Sequence, residues 1–208
     1  MRFLTIVCLL FASLATGAER PMPGVIAASE LREFADLEAG RKRFVQIALE
    51  ETAELKLSNY LYGSADPSKG GFDCSGAVFY LLERVGIDPP RSSAAQFDWI
   101  KKAGNLTEVP AAARTLDHPS LSKLEPGDLL FWSGTYQPTD GRTNKITHVQ
   151  IYLGREKDGR AVMVGSSDGR SYRGKARCGF GVYDFRLPRE GSKARFVGYG
   201  KPPGLKGE

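Results

Sequence analysis

The chain has 208 residues, with 29 Lys and Arg against 24 Asp and Glu and a net charge of +5. That length suffices for one domain with a full hydrophobic core. The positive balance is modest and no Lys/Arg block with interleaved aromatics occurs, which argues against nucleic acid as a partner and leaves weak attraction to an anionic wall or surface.

Residues 1–18 read as a secretory signal. Met1-Arg2 is a minimal basic start, Phe3 to Ala15 is almost wholly apolar, and Thr16-Gly17-Ala18 is a small-residue cleavage site before Glu19. The apolar run is shorter than the about 20 residues of a membrane span. Cys8, behind bulky Val7, does not read as a lipid-modified cysteine. The expectation is an exported protein, periplasmic or extracellular, with no stable membrane anchor. Only Cys74 and Cys178 survive cleavage, so one disulfide is possible in an oxidising compartment.

Residues 19–28, with Pro21 and Pro23, read as a flexible leader. Ser29 is placed to cap a helix from Glu30 and Leu31, and apolar residues from Leu31 to Leu57 support about two helices broken near Gly40. A polar loop from Ser64 to Gly71 leads into Asp73-Cys74-Ser75-Gly76. Ala77, Val78, Leu81, Leu82 and Val85 then recur at helical spacing until Gly86 supplies a stop. An extended segment, Ile87-Asp88-Pro89-Pro90-Arg91, precedes a short helix through Ile100, and residues 103–123 read as irregular. Strands follow at Leu129–Trp132 and Thr147–Leu153. Asp158-Gly159 turns the chain into Ala161–Val164, and two further strands are expected near Phe180–Leu187 and Ala194–Tyr199. Helices first and a strand meander after give an α+β fold, N-terminal helices packed on an antiparallel sheet. The expected organisation is leader and first helix at 19–40, one domain at 41–200 and a tail at 201–208.

Cys74 falls in the first turn of its helix with Asp73 near the cap, where free backbone N–H groups and the helix dipole favour a thiolate nucleophile. A buried structural cysteine and a Cys74–Cys178 disulfide are the competing readings. His118 beside Pro119 reads as a loop histidine. His148 begins an apolar strand and would complete a Cys–His pair for thiol acyl transfer. Two histidines and two cysteines so scattered show no metal-ligand spacing.

Five segments, in order, resemble the NlpC/P60 family of papain-like cysteine peptidases, which cleave peptidoglycan stem peptides. They are Tyr60-Leu61-Tyr62-Gly63, Phe72-Asp73-Cys74-Ser75-Gly76, Pro90-Arg91-Ser92-Ser93-Ala94-Ala95-Gln96, Pro126-Gly127-Asp128-Leu129-Leu130-Phe131 and His148-Val149-Gln150-Ile151-Tyr152-Leu153-Gly154. The resemblance implies a papain-like fold, Cys74 as nucleophile, His148 as general base and no cofactor or metal. It implies that Tyr60 and the Cys74 N–H hold the oxyanion, and that Asp73 and Ser75 contact polar groups of the stem peptide. Arg91 is either a partner for a substrate carboxylate or an exposed loop arginine. The family's third polar residue, which orients the imidazole, aligns with Gly165, so Ser166 or Ser167, a backbone carbonyl or a water would have to stand in. The implied function is an exported, monomeric peptidase cutting between D-glutamate and the diamino acid. The alternatives are the same chemistry on another substrate, a wall-binding relative without turnover, and a disulfide-linked structural domain.

Overall fold

The computed structural model describes residues 21–205. The signal read in residues 1–18 and the end of the tail lie outside the described residues.

Three α-helices precede most of the sheet. Helix α1 spans Ala39–Leu55, α2 spans Cys74–Arg84 and α3 spans Ser93–Lys102. Short strands β1 (Asn59–Tyr60) and β2 (Gly71–Phe72) pair in parallel ahead of α2. The main sheet holds β3 (Leu106–Glu108), β4 (Leu129–Ser133), β5 (Ile146–Arg155), β6 (Ala161–Tyr172), β7 (Lys175–Asp184) and β8 (Arg195–Gly200). Its order is β3-β8-β4-β5-β6-β7, every neighbouring pair antiparallel. The α+β architecture is therefore the one the element order implied.

The N-terminal segment differs from the expected leader and helix. Ser29 lies in a single 3₁₀ turn (Ala28–Glu30), and α1 starts only at Ala39, with Gly40 inside its first turn instead of at a break. Long-range pairing wins over local helix propensity here. Leu31 bridges Glu156, the Arg32 guanidinium donates to the Lys157 carbonyl at 2.8 and 3.2 Å, and Gly24 bridges Val182. Residues 24–32 are thus docked against the sheet. The irregular stretch 103–123 contains β3 and a 3₁₀ turn at Pro119–Leu121, capped by His118, whose ring accepts from the Ser120 N–H.

Both sheet faces are covered. The helices bury Phe44, Leu81 and Leu82 against Phe131, Val149, Ile151 and Val164 on one side. On the other, Leu130, Trp132, Tyr152, Met163, Tyr183 and Phe196 pack beneath the 109–124 loop. The period-2 alternation of β4 serves both, because Leu129 and Phe131 face the helices while Leu130 and Trp132 face away.

Candidate active site

The nucleophile position is built by local hydrogen bonding. Asp73 caps α2 by accepting from the Gly76 N–H at 2.6 Å and the Ser75 hydroxyl at 2.9 Å. Gly76 is obligatory at this spot: a Cβ there would sit 1.9 Å from the Ser64 carbonyl oxygen, which itself accepts from the Asp73 N–H. Arg91 donates to both Asp73 oxygens, at 3.1 and 2.7 Å, and to the Ser75 hydroxyl at 3.0 Å. Its charge is engaged within the protein, so the structure places it as a brace for the cap. Gln96 from α3 ties the same turn down by donating to the Ser75 and Pro90 carbonyls.

Cys74 is buried at the helix start, its backbone N–H directed at the Tyr60 hydroxyl 3.5 Å away. The Val149 N–H and the Tyr60 hydroxyl lie close enough to its thiol to lower its pKa, which sets it against β5 one residue beyond His148. Burial, and next the Asp73 carboxylate, push the thiol pKa up, and the donors offset this only in part. The helix-start position alone implied a thiolate, whereas the resting group is a neutral thiol. Burial likewise pushes the Tyr60 hydroxyl up, so it keeps its proton.

His148 is buried on β5, its ring centroid 5.7 Å from that of Trp132. Burial, then the Arg170 guanidinium, hold the imidazole well below its ordinary value, so it rests neutral. Its Nε2 lies 3.1 Å from the Gln150 side-chain amide nitrogen and 3.4 Å from Arg170 Nε. No hydrogen bond joins the imidazole to the Cys74 thiol among the described residues.

Neither serine proposed for the third position touches the imidazole. The Ser166 hydroxyl donates to the Phe72 carbonyl at 2.7 Å, and the Ser167 hydroxyl accepts from the Gly169 N–H. Gln150 occupies the place instead. It shares a strand face with His148, two residues on, and its amide nitrogen also donates to the Ser166 carbonyl at 3.2 Å. Gly165 makes the room: a Cβ there would lie 2.8 Å from Gln150 Oε1. The missing side chain at Gly165 and the long side chain at Gln150 are two halves of one exchange across β5 and β6.

These groups border a cleft of about 650 Å³ lined by Tyr60, Trp132, His148 and Arg170, with exposed Tyr62 and Tyr136 on its wall. Cys74 and Cys178 are both free thiols. Among the described residues no group of three His, Cys, Asp or Glu side chains could hold a metal ion, and no helix is long and apolar enough to cross a membrane.

Comparison with known proteins adds a second line of observation. The NlpC/P60 family profile matches residues 58–173. The chain is 33% identical over 115 residues to the bifunctional muramidase/DL-endopeptidase CwlT of Bacillus subtilis (strain 168), covering 55% of this chain and 28% of that protein. It is 34% identical over 110 residues to the peptidoglycan endopeptidase RipA of Mycobacterium tuberculosis (strain ATCC 25618 / H37Rv), covering 49% and 18% respectively. The chain thus matches less than a third of the length of either relative. A solved structure of an NLP/P60 family protein, similar to lipoprotein, from Staphylococcus aureus subsp. aureus Mu50 aligns with a TM-score of 0.49 at 23% identity, over 77% of this chain and 41% of that one.

Proposed function

Because the chain belongs to the NlpC/P60 family, we propose that it is an exported thiol peptidase that hydrolyses amide bonds in peptidoglycan stem peptides, with the bond between D-glutamate and the diamino acid as its target. The observation that carries this reading is the junction of α2 and β5. A thiol at a helix start lies against the strand residue next to His148, beside a tyrosine hydroxyl. The relatives named as DL-endopeptidase and peptidoglycan endopeptidase support the substrate class, and residues 1–18 support export.

In this mechanism His148 takes the Cys74 proton as Sγ attacks the carbonyl carbon. Charge passes to the carbonyl oxygen, held by the Tyr60 hydroxyl and the Cys74 N–H. Collapse of the tetrahedral intermediate breaks the C–N bond, the imidazolium protonates the leaving amine, and a thioester remains. Water, deprotonated by His148, then releases the acid and restores the thiol. Gln150 holds the neutral imidazole through Nε2, and Arg91 keeps the Asp73 cap rigid beneath the nucleophile.

Incubation with purified wall fragments, followed by mass spectrometry of the soluble products, tests the reading. The wild type should release peptides with a new free amino group, and Cys74→Ala should lower the rate by about 10³-fold or more. Wild-type protein that binds wall fragments without releasing product would establish the wall-binding alternative, which the neutral and unlinked resting pair favours.

A further inference from the structure

The base side of the cleft holds a cation that the mechanism above does not use. Arg170, near the end of β6, lies over the Trp132 indole with its guanidinium carbon 4.3 Å from the ring centroid. Its Nε points to His148 Nε2 at 3.4 Å. Among the described residues its terminal nitrogens have no acceptor and it forms no ion pair. Asp168, two residues earlier on the same strand and also lining the cleft, does not pair with it. The rest of the lining is close to balanced in sign, with Lys193 against Asp168. Lys193 and Arg186 border the same cleft, and Arg186 is satisfied by Asp184 at 3.0 Å.

A lone guanidinium beside the general base works against the reaction, since His148 must carry positive charge when it holds the thiol proton. The same burial that makes the pairing costly lowers Arg170 itself to about 10, which still leaves it charged at neutral pH. A ligand that brings a negative charge removes the conflict. A carboxylate fits the planar fork through two parallel N–H···O bonds, and the indole beneath fixes the plane of the fork.

We propose that Arg170 is the receptor for a carboxylate carried by the substrate beside its scissile amide. The proposal rests on the peptidase reading and deepens it, because it makes the enzyme selective for stem peptides in acid form over amidated ones. The bound carboxylate also screens His148 from the guanidinium, so the imidazole becomes a competent base when the right substrate is seated.

The test uses the tripeptide L-Ala-γ-D-Glu-diaminopimelate and two carboxamide analogues, one amidated on D-glutamate and one on the diamino acid. Affinity is measured by calorimetry on the full chain carrying Cys74→Ala, and kcat/KM on the wild type. At least one amidation should weaken binding and lower kcat/KM by about tenfold or more. Arg170→Gln should abolish that discrimination, and Arg170→Lys should restore part of it by keeping the charge. Equal binding of all three peptides, or discrimination that survives Arg170→Gln, overturns the proposal. Discrimination by the Cys74→Ala protein combined with no hydrolysis by the wild type would retire the peptidase reading while leaving the receptor in place.

Discussion

The two flanks of the cleft follow opposite plans. On the nucleophile flank Asp73, Ser75, Arg91 and Gln96 form a network in which Arg91 meets a carboxylate through two nitrogens, with Gln96 Oε1 its one unpartnered atom among the described residues. On the base flank His148 faces two donors on one ring nitrogen, Gln150 Oε1 has no partner, and Arg170 has no counter-ion among the described residues. Each flank contains an arginine close to a reacting side chain, yet only one of these charges is neutralised from within. A charge paired within the protein helps fix local geometry, whereas one without a counter-ion is open to a ligand of opposite sign. The carboxylate receptor proposed above thus lies on the flank whose arginine has no counter-ion among the described residues.

The sharpest way to break this comparison lies in the exchange between Gln150 and Gly165. Gln150→Gly should lower kcat on wall fragments by about 10²-fold, as loss of a group that orients a working histidine does. Gly165→His alone should be destabilised both by the φ of 156° at that position and by collision with the Gln150 carboxamide, and adding Gln150→Gly should relieve the collision and recover part of the loss. Strictly additive losses in this double-mutant cycle would show that the two positions do not act on each other.

Next in size is the contrast between the two arginines in urea unfolding. Arg91→Ala should cost about 2 kcal/mol, because it strips charge-assisted hydrogen bonds from a buried cap carboxylate. Arg170→Gln removes a cation without a counter-ion together with its stack on Trp132 and should cost less than Arg91→Ala; an equal loss in both variants would erase the distinction between the flanks.

Smaller effects follow with pH. Asp73 contributes to the elevated thiol pKa after burial, so Asp73→Asn should move the alkylation of Cys74 by iodoacetamide to lower pH. Arg170 depresses His148 after burial, so Arg170→Gln should move the imidazole titration up, visible by NMR. His148 also links stability to acid. Its folded pKa lies below the ordinary 6.5, so the unfolded chain binds more protons and the wild type should lose stability relative to His148→Gln as pH falls through that value. Cys74 acts at the other end: its raised pKa makes the folded chain hold the proton more tightly, and stability should fall as pH rises past the ordinary thiol value of about 8.5. Smallest of all, His118→Ala should cost about 0.5 kcal/mol, the loss of one cap on a 3₁₀ turn.

What could be read in the sequence was whatever local chemistry encodes. The Asp73 cap, the apolar face of α2 and the Asp158-Gly159 turn all follow from residues within one turn of each other. Cys74, Tyr60, Asp73, Ser75 and Arg91 fall together around one helix start, although Arg91 and the thiol pKa differ from expectation once Asp73 is seen to be shared between them. Gln150 was missed because its role depends on cross-strand register. The signal was present, since residues i and i+2 of a strand share a face and the pairing of Ile151 with Val164 carries Gln150 toward Gly165. Arg170 was missed because β6 runs on to Tyr172, well past the apolar run ending at Val164. The docked N-terminal segment had no local signal at all, as its partners lie more than a hundred residues away.

That segment bears on the order of events during synthesis. Strand β7 is the outer strand of the sheet, and its free N–H groups are met by the Leu57 carbonyl at Phe180 and the Gly24 carbonyl at Val182. Gly24 leaves the ribosome early, but its partner exists only when nearly the whole chain has been made. The margin of the sheet is therefore closed by residues from opposite ends of the chain, and not before β7 has been made. A contact of such sequence separation carries a high loop-closure cost and contributes to slow folding.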